Sequence, residues 1–377
     1  MTLGCPGSTA ATLAAAVAAA PSGGTVQVCA GTFAGGVTIT KPLTLLGAKA
    51  GVDGRGRTTT AGESVITGAG TAAITVGTGV SGVRIDGFTI ANAVQATTTQ
   101  AGILAVSNGA GITISDNVIS RFSFGVNMNS NGSAPSLVSR NRFAENNGVG
   151  GQAGVFLCCG PANNLTISDN YFTGHSGDAA TAVNTAGDAA HPSTGLKIVN
   201  NQSIDDSTFA VVVNATGAVV SHNQVIHTAT STVPAGSAIL VGGGTNGVAV
   251  SDNSIVGGQS TGVRVSNAFG PANIGLTVTG NNVVDRQNGV RLTGQTSGRI
   301  SGNNVLRSAQ VGILLDGPPT VDAAANAGVT VTGNKVLQST VSDCTDRSTG
   351  AGTAGTANTW TGNIGVKSTP ARLCALF

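Results

Sequence analysis

The sequence predicts an all-β solenoid of three-stranded coils, on two recurrent phrases and one compositional bias. The first phrase is Ser or Thr, any residue, Asn, any residue, apolar. It returns at Asn117, Asn141, Asn170, Asn201 (in looser form), Asn223, Asn253, Asn281, Asn303 and Asn334, at gaps of 24, 29, 31, 22, 30, 28, 22 and 31 residues. Self-similarity at a period of roughly 20–50 residues marks units that bury their apolar faces only against their neighbours. The second phrase, a small residue and then apolar-x-apolar, falls between the asparagines. It starts at Gly102, Gly125, Gly154, Ala182, Ala210, Ala238, Gly262, Gly289 and Gly312. The bias is towards Val, Ile and Ala spaced at two, with Thr, Ser, Asn and Gly between them, the composition of short strands and turns.

Each period therefore holds three β runs: the glycine phrase, the run entering the Asn and the run leaving it. Strands that stack in register about 4.8 Å apart make each period one coil of a parallel β-helix, and about 10–11 coils make a rod some 50 Å long. Along the glycine phrase, alternation points the first and third residues after the small residue inward and the second outward. The recurrent Asn is expected at a tight corner, where it tolerates a left-handed backbone and its amide bonds the coils above and below. Asp116, Asp169 and Asp252, each preceding an Asn, are expected in the same turns and exposed.

The ends break the pattern, as solenoid caps do. Residues 1–40 read as an N-terminal cap, 41–342 as the helix of strands and 343–377 as a C-terminal cap, all one domain. In the first cap, Ser8–Ala20 reads as a short amphipathic helix with Ser8 or Thr9 as N-cap, Leu13 and Val17 on one face and Pro21 past its end. The last cap carries Trp360, a final TGNIGV motif and a Gly/Thr/Ala-rich loop. Six cysteines fall in three local sets. Cys5 with Cys29 and Cys344 with Cys374 sit where open ends need stapling and read as disulfides formed in an oxidising compartment. Of Cys158 and Cys159, one is expected inside and one outside. An exported protein is implied, with a leader preceding this sequence.

Composition excludes several functions. Charged residues are 9% and aromatics 3% of the 377, and the net charge is +2. No basic stripe with aromatic platforms exists for nucleic acid, and no apolar run approaches the roughly 18 residues of a membrane span. No P-loop or dinucleotide fingerprint occurs, and four histidines without close His-x-His or Cys/His spacing argue against zinc. No cofactor is expected.

The entry GGTVQVCAGTFAGGVTITKPLTLLGA resembles the opening of the secreted right-handed parallel β-helix superfamily, which includes pectate lyases, pectin methylesterases and polygalacturonases. The repeats from Val83 to Leu337 extend that likeness over nearly the whole chain. The resemblance implies a right-handed solenoid with its active site on the outer face of the glycine-phrase sheet. The pleat assigns to that face Leu104, Asn127, Phe156, Asn184, Val212, Leu240, Arg264, Arg291 and Leu314. Beyond them come Val106, Asn129, Cys158, Ala186, Asn214, Gly242, Ser266, Thr293 and Asp316.

Two features of this face carry chemistry. Arg264 and Arg291 fall one coil apart, and two like charges about 5 Å apart repel by roughly 1 kcal/mol even in water. An anion lying across them, a sugar carboxylate or Asp316, relieves this. They resemble the arginine that lyases of the superfamily set beside a uronate. Acids and histidines also gather in the middle coils: Glu145, His175, Asp178, Asp188, His191, Asp205 and Asp206. Asp188, then Asp205 and Asp206, then His222 resemble the order of polygalacturonases, in which two carboxyls about 6.5–9.5 Å apart act as acid and base. The family's Gly-His-Gly and Arg-x-Lys phrases are absent, and Asp205 and Asp206 precede the strand instead of opening it. A lyase-type calcium shell has only Asp316 to draw on.

The expected function is a polysaccharide hydrolase or lyase binding its glycan along this face. Asp188, Asp205, Asp206 and His175 are the catalytic candidates. Arg264, Arg291, Phe156, Asn184 and Asp316 are the substrate-binding candidates. Two alternatives stand beside it: a non-catalytic surface or structural repeat protein, and an enzyme on a small apolar substrate in a groove near Phe156, with Cys158, His175 and Arg264 as polar handles.

Overall fold

A computed structural model describes residues 1–377 except 178–179, 186, 188, 268–269, 317–325 and 377, and the backbone alone of Cys158 and Cys159. Asp178, Asp188, Ala186 and the Cys158–Cys159 side chains thus lie outside the described residues. The chain forms two compact units, Met1–Gly187 with Asn200–Gln202, and Asp188–Val199 with Ser203–Phe377.

Each unit is a parallel β-helix whose core is three columns of stacked, mostly aliphatic residues, one per strand of the coil. In the first unit the glycine-phrase column runs Val37, Ile74, Ile103, Val126, Val155, Val183. The column entering the Asn runs Leu45, Ile85, Ile114, Val138, Ile167, and the column leaving it runs Ile66, Ile90, Ile119, Phe143, Phe172. In the second unit the corresponding columns include Ile239, Val263, Val290, Ile313 and Cys344; Ile198, Val220, Val250, Val278, Ile300, Val331 and Trp360; and Val225, Ile255, Val283, Val305 and Val336. All are buried. Like residue stacks on like because the pleat repeats with the coil, so β-branched side chains pack on themselves at the strand spacing.

The corner asparagines form the expected columns. Asn117 and Asn141 each donate a backbone N–H to the Oδ1 of the next Asn, at 2.9 and 3.0 Å, and Asn170 reaches Asn201 at 3.0 Å. In the second unit the same bond joins Asn223, Asn253, Asn281, Asn303, Asn334 and Asn363 at 2.9–3.0 Å. Each Nδ2 also donates to a carbonyl of the preceding coil, as Asn281 does to Val250 at 2.9 Å. One detail differs from expectation. The left-handed backbone belongs to the residue before the Asn, as in Asp116 (φ 58°), Arg140 (φ 53°), Asp252 (φ 56°) and Gly280 (φ 67°). That residue takes the bend, which leaves the Asn free to aim its amide inward. Nor is Asp116 exposed: its buried carboxylate accepts from Arg140 Nε at 2.7 Å and Nη2 at 2.6 Å.

The N-terminal helix is shorter than expected, Leu13–Ala19, and its N-cap is Thr12, whose Oγ1 accepts from Ala15 N. Leu13, Ala16 and Val17, at helical spacing, bury one face over the strand Val37–Ile39. Cys5–Cys29 and Cys344–Cys374 are disulfides, with Cα atoms 5.2 and 6.2 Å apart.

One outward assignment slips by a residue. Ala210 pairs with Ile239 and Val211 with Leu240, so Val211 faces out and Val212 is buried in the core. Small-residue spacing takes Ala210 for the start of the phrase, but Phe209 stands at that position, one residue earlier. With a period of two, a shift of one residue exchanges the faces.

Candidate functional site

The outer face of the glycine-phrase strands carries a different surface in each unit. In the first, Leu104, Asn127, Phe156 and Asn184 stand in register across four coils. The Phe156 ring stacks on Phe124 with centroids 4.5 Å apart and planes 12° apart. Gly151 packs over Phe124 so closely that a Cβ there would collide with the ring. The two rings, with Gln152 and Asn184, line an open cleft of about 550 Å³. Phe156 and Asn184 thus come together as a half-buried aromatic floor with an amide at its edge. Asn127 Oδ1, in the same column, has no hydrogen-bond partner among the described residues.

In the second unit the outer column reads Leu240, Arg264, Arg291, Leu314, and the two arginines are direct register partners. Asp316 does not lie open on the face, as its place in the pleat implies. It is fully buried where its strand ends, and accepts from Arg291 Nε at 2.6 Å and from Arg347 Nη1 at 3.1 Å. Each of its oxygens therefore serves a guanidinium, and neither serves Arg264. Among the described residues Arg264 makes no ion pair or hydrogen bond, and its Nε is buried without a partner, as are Asn267 Oδ1 and Thr293 Oγ1 in the same two coils. Groups of this kind are rare in folded proteins and call for an explanation. Arg347 escaped sequence reading because the strand it follows, Ser342–Asp346, lacks the glycine phrase and reads as cap; its spacing from Asp316 by one coil was the available signal.

The described catalytic candidates, Asp205, Asp206 and His175, each have partners of their own. Asp205 sits at the corner after Gln202–Ile204, where Thr228 donates its N–H to Oδ1 at 2.7 Å and its hydroxyl to Oδ2 at 2.9 Å. Asp206 is buried and accepts from Ser203 Oγ at 2.6 Å. His175 is fully buried, with Nε2 3.3 Å from Asn146 Nδ2 and its ring tilted against Phe172. Asp205 and His175 are held by groups of a neighbouring coil, and Asp206 by a serine of its own. Glu145, by contrast, is exposed and pairs loosely with Arg121 at 3.8 Å.

Comparison with known proteins now adds to this geometry. Residues 36–203 match the family model described as a right-handed β-helix region. Residues 179–364 match the one described as periplasmic copper-binding protein (NosD). The chain belongs to the right-handed parallel β-helix superfamily. No curated protein sequence matches this β-helix. Similar solved structures include a PL6 alginate lyase in complex with a trisaccharide, 15% identical, covering 94% of this chain and 82% of that one, with a TM-score of 0.65. The catalytic unit of a GH87 α-1,3-glucanase from Streptomyces thermodiastaticus is 15% identical over 93% of this chain and 65% of its own, with a TM-score of 0.61. A DFA-IIIase from Arthrobacter chlorophenolicus in complex with GF2 is 15% identical over 93% and 89%, with a TM-score of 0.58. At these identities they establish the fold of the β-helix alone.

The copper in the NosD description finds no cluster of donors among the described residues. Copper takes imidazole and thiolate ligands. Among the described residues no three of His, Cys, Asp or Glu cluster, and Cys5, Cys29, Cys344 and Cys374 are bridged. No helix among them is long and apolar enough to cross a membrane.

Proposed function

We propose that this β-helix binds an extended acidic polysaccharide along the outer face of its glycine-phrase sheet, with Arg264 and Arg291 taking the sugar carboxylates. One observation carries the reading: two arginines in direct register, one answered by Asp316 and the other, among the described residues, by nothing. A carboxylate over Arg264 removes the repulsion and gives that guanidinium the bidentate partner it lacks. The solved structures named above are of glycan-acting proteins, which supports a saccharide ligand. The disulfides, and a family described as periplasmic, support a periplasmic or extracellular location.

The reading stops at binding. Asp205, Asp206 and Asp316 are already engaged within the fold, and no hydrolase or lyase step is assigned to them. Titration with oligouronates and neutral oligosaccharides at low ionic strength tests the proposal. Oligouronates bind, the affinity falls with salt, and Arg264→Gln weakens it about tenfold, the loss of one charge-assisted contact. Equal affinity of Arg264→Gln and wild type, or no uronate binding, overturns it. Reading the same mixtures for unsaturated ends and new reducing ends shows whether cleavage accompanies binding.

A further inference from the structure

On the outer face of the first unit, the glycine-phrase strands begin a ladder of rings that stops after two rungs. Two columns run side by side there: Phe124, Ala153 and Thr181, and Asn127, Phe156 and Asn184. Ala153 stands beside Phe124 in the first column, and its small side chain leaves room for Phe156 to stack on the Phe124 ring. Their centroids lie 4.5 Å apart, close to the strand spacing of about 4.8 Å, so each ring fills the layer of one coil. In the next coil Thr181 and Asn184 take the two positions, and neither brings a ring. The cleft of about 550 Å³, lined by both phenyl rings and by Asn184, opens where a third ring would continue the stack.

The polar side chains around that layer are not spent on the fold. Asn127 Oδ1 and Thr181 Oγ1 are buried with no hydrogen-bond partner among the described residues. The half-buried amides of Gln152 and Asn184 make no hydrogen bond among those residues either. Gly151 brings Gln152 to the cleft wall: its backbone lies against Phe124, and a Cβ there would stand 2.0 Å from the ring. Amides and a hydroxyl both donate and accept, and none of the described lining residues carries a charge. An occupant of this layer therefore needs a flat apolar face for Phe156 and an edge of groups that donate and accept in turn. A pyranose ring has both, a face of C–H bonds and a rim of hydroxyls. A purely aromatic ring matches the floor and leaves the amides without partners. Since the lining sets no charge requirement, a neutral sugar and a uronate share the chemistry that fits.

We propose that this cleft is a sugar-stacking subsite, which holds one pyranose ring of a glycan against Phe156 with its hydroxyls on Asn184 and Gln152. The subsite works without Arg264. Calorimetry and ligand-observed NMR on the full chain test it, with gluco- and xylo-oligosaccharides, oligouronates and indole as probes. At least one oligosaccharide binds saturably, and its ring C–H signals move upfield under the phenyl ring current. Phe156→Leu keeps the bulk and removes the flat face, and weakens that binding about fivefold, the worth of one stacking contact. Phe156→Tyr keeps the face and stays within about twofold. Asn184→Ala weakens binding about fivefold, one neutral hydrogen bond, and leaves the melting temperature unchanged, so it decides alone should Phe156→Leu not fold. Arg264→Gln separates the two sites: a neutral oligosaccharide keeps its affinity in that variant, and an oligouronate held here loses affinity in Phe156→Leu whatever Arg264→Gln does. Absence of saturable binding by every saccharide overturns the proposal. So does unchanged affinity in a folded Phe156→Leu or in Asn184→Ala, and so does indole binding more tightly than every saccharide.

Discussion

Replacing Asn281 with Ala removes one rung of the second unit's amide column, and the cost follows from its bonds. Asn281 Oδ1 accepts from Asn253 N at 3.0 Å and from Asn253 Nδ2 at 2.9 Å. Its Nδ2 donates to Val250 O at 2.9 Å and to Asn303 Oδ1 at 3.0 Å. All these groups are buried away from water. Truncation leaves the Asn253 N–H with no acceptor, one Asn253 Nδ2 hydrogen unpaired and the Val250 carbonyl short of a donor. At about 1–3 kcal/mol for each buried group left unmade, with partial relaxation, the loss is about 3–6 kcal/mol. Asp252→Asn is the control. It sits next door with φ 56° and is exposed, and Asn tolerates that backbone, so its change stays within about 0.5 kcal/mol. Equilibrium denaturation in urea, followed by circular dichroism, measures both. A stability for Asn281→Ala within 1 kcal/mol of the control refutes the reasoning, because it means that the column is not holding those corners.

Two further outcomes concern stability. Cys5 and Cys29 are separated by 24 residues and Cys344 and Cys374 by 30, and loops of this size make each bridge worth about 3–4 kcal/mol in the chain-entropy account. Cys344→Ser with Cys374→Ser lowers the melting temperature of the oxidised protein, and added reductant then lowers it further by the amount due to Cys5–Cys29. The second outcome is a pH dependence. Arg307 and Arg55 hold Asp285 and Asp53 below the ordinary aspartate value of 3.8. The stability they add is complete above the unfolded value and is lost as pH falls through their lower folded values. Both are partly exposed, so the effect is small; denaturation midpoints that fall below pH 4 in wild type, and fall less in Asp285→Asn, check the sign.

Much of the fold was written in the chain because a coil is a local object. Nine asparagines at intervals of 22–31 residues mark one corner each, and their columns follow from the pleat and the strand spacing. The same regularity placed Arg264 beside Arg291 correctly. It failed where composition imitates the phrase, as at Ala210, and where a coil omits the phrase, as at Ser342–Asp346.

The candidate site was less legible, for a physical reason. Periodicity states which way a side chain points, but what meets it there depends on groups brought from other coils through insertions of irregular length. So the sequence by itself determined the solenoid, its asparagine columns, its stapled ends and the outward facing of Phe156, Asn184, Arg264 and Arg291. Only the tertiary structure decided that Asp316 is spent on Arg291 and Arg347, that His175 is buried beside Asn146, and that Asp205 is bonded by Thr228. Each of these rests on contacts between residues that no short window of sequence contains.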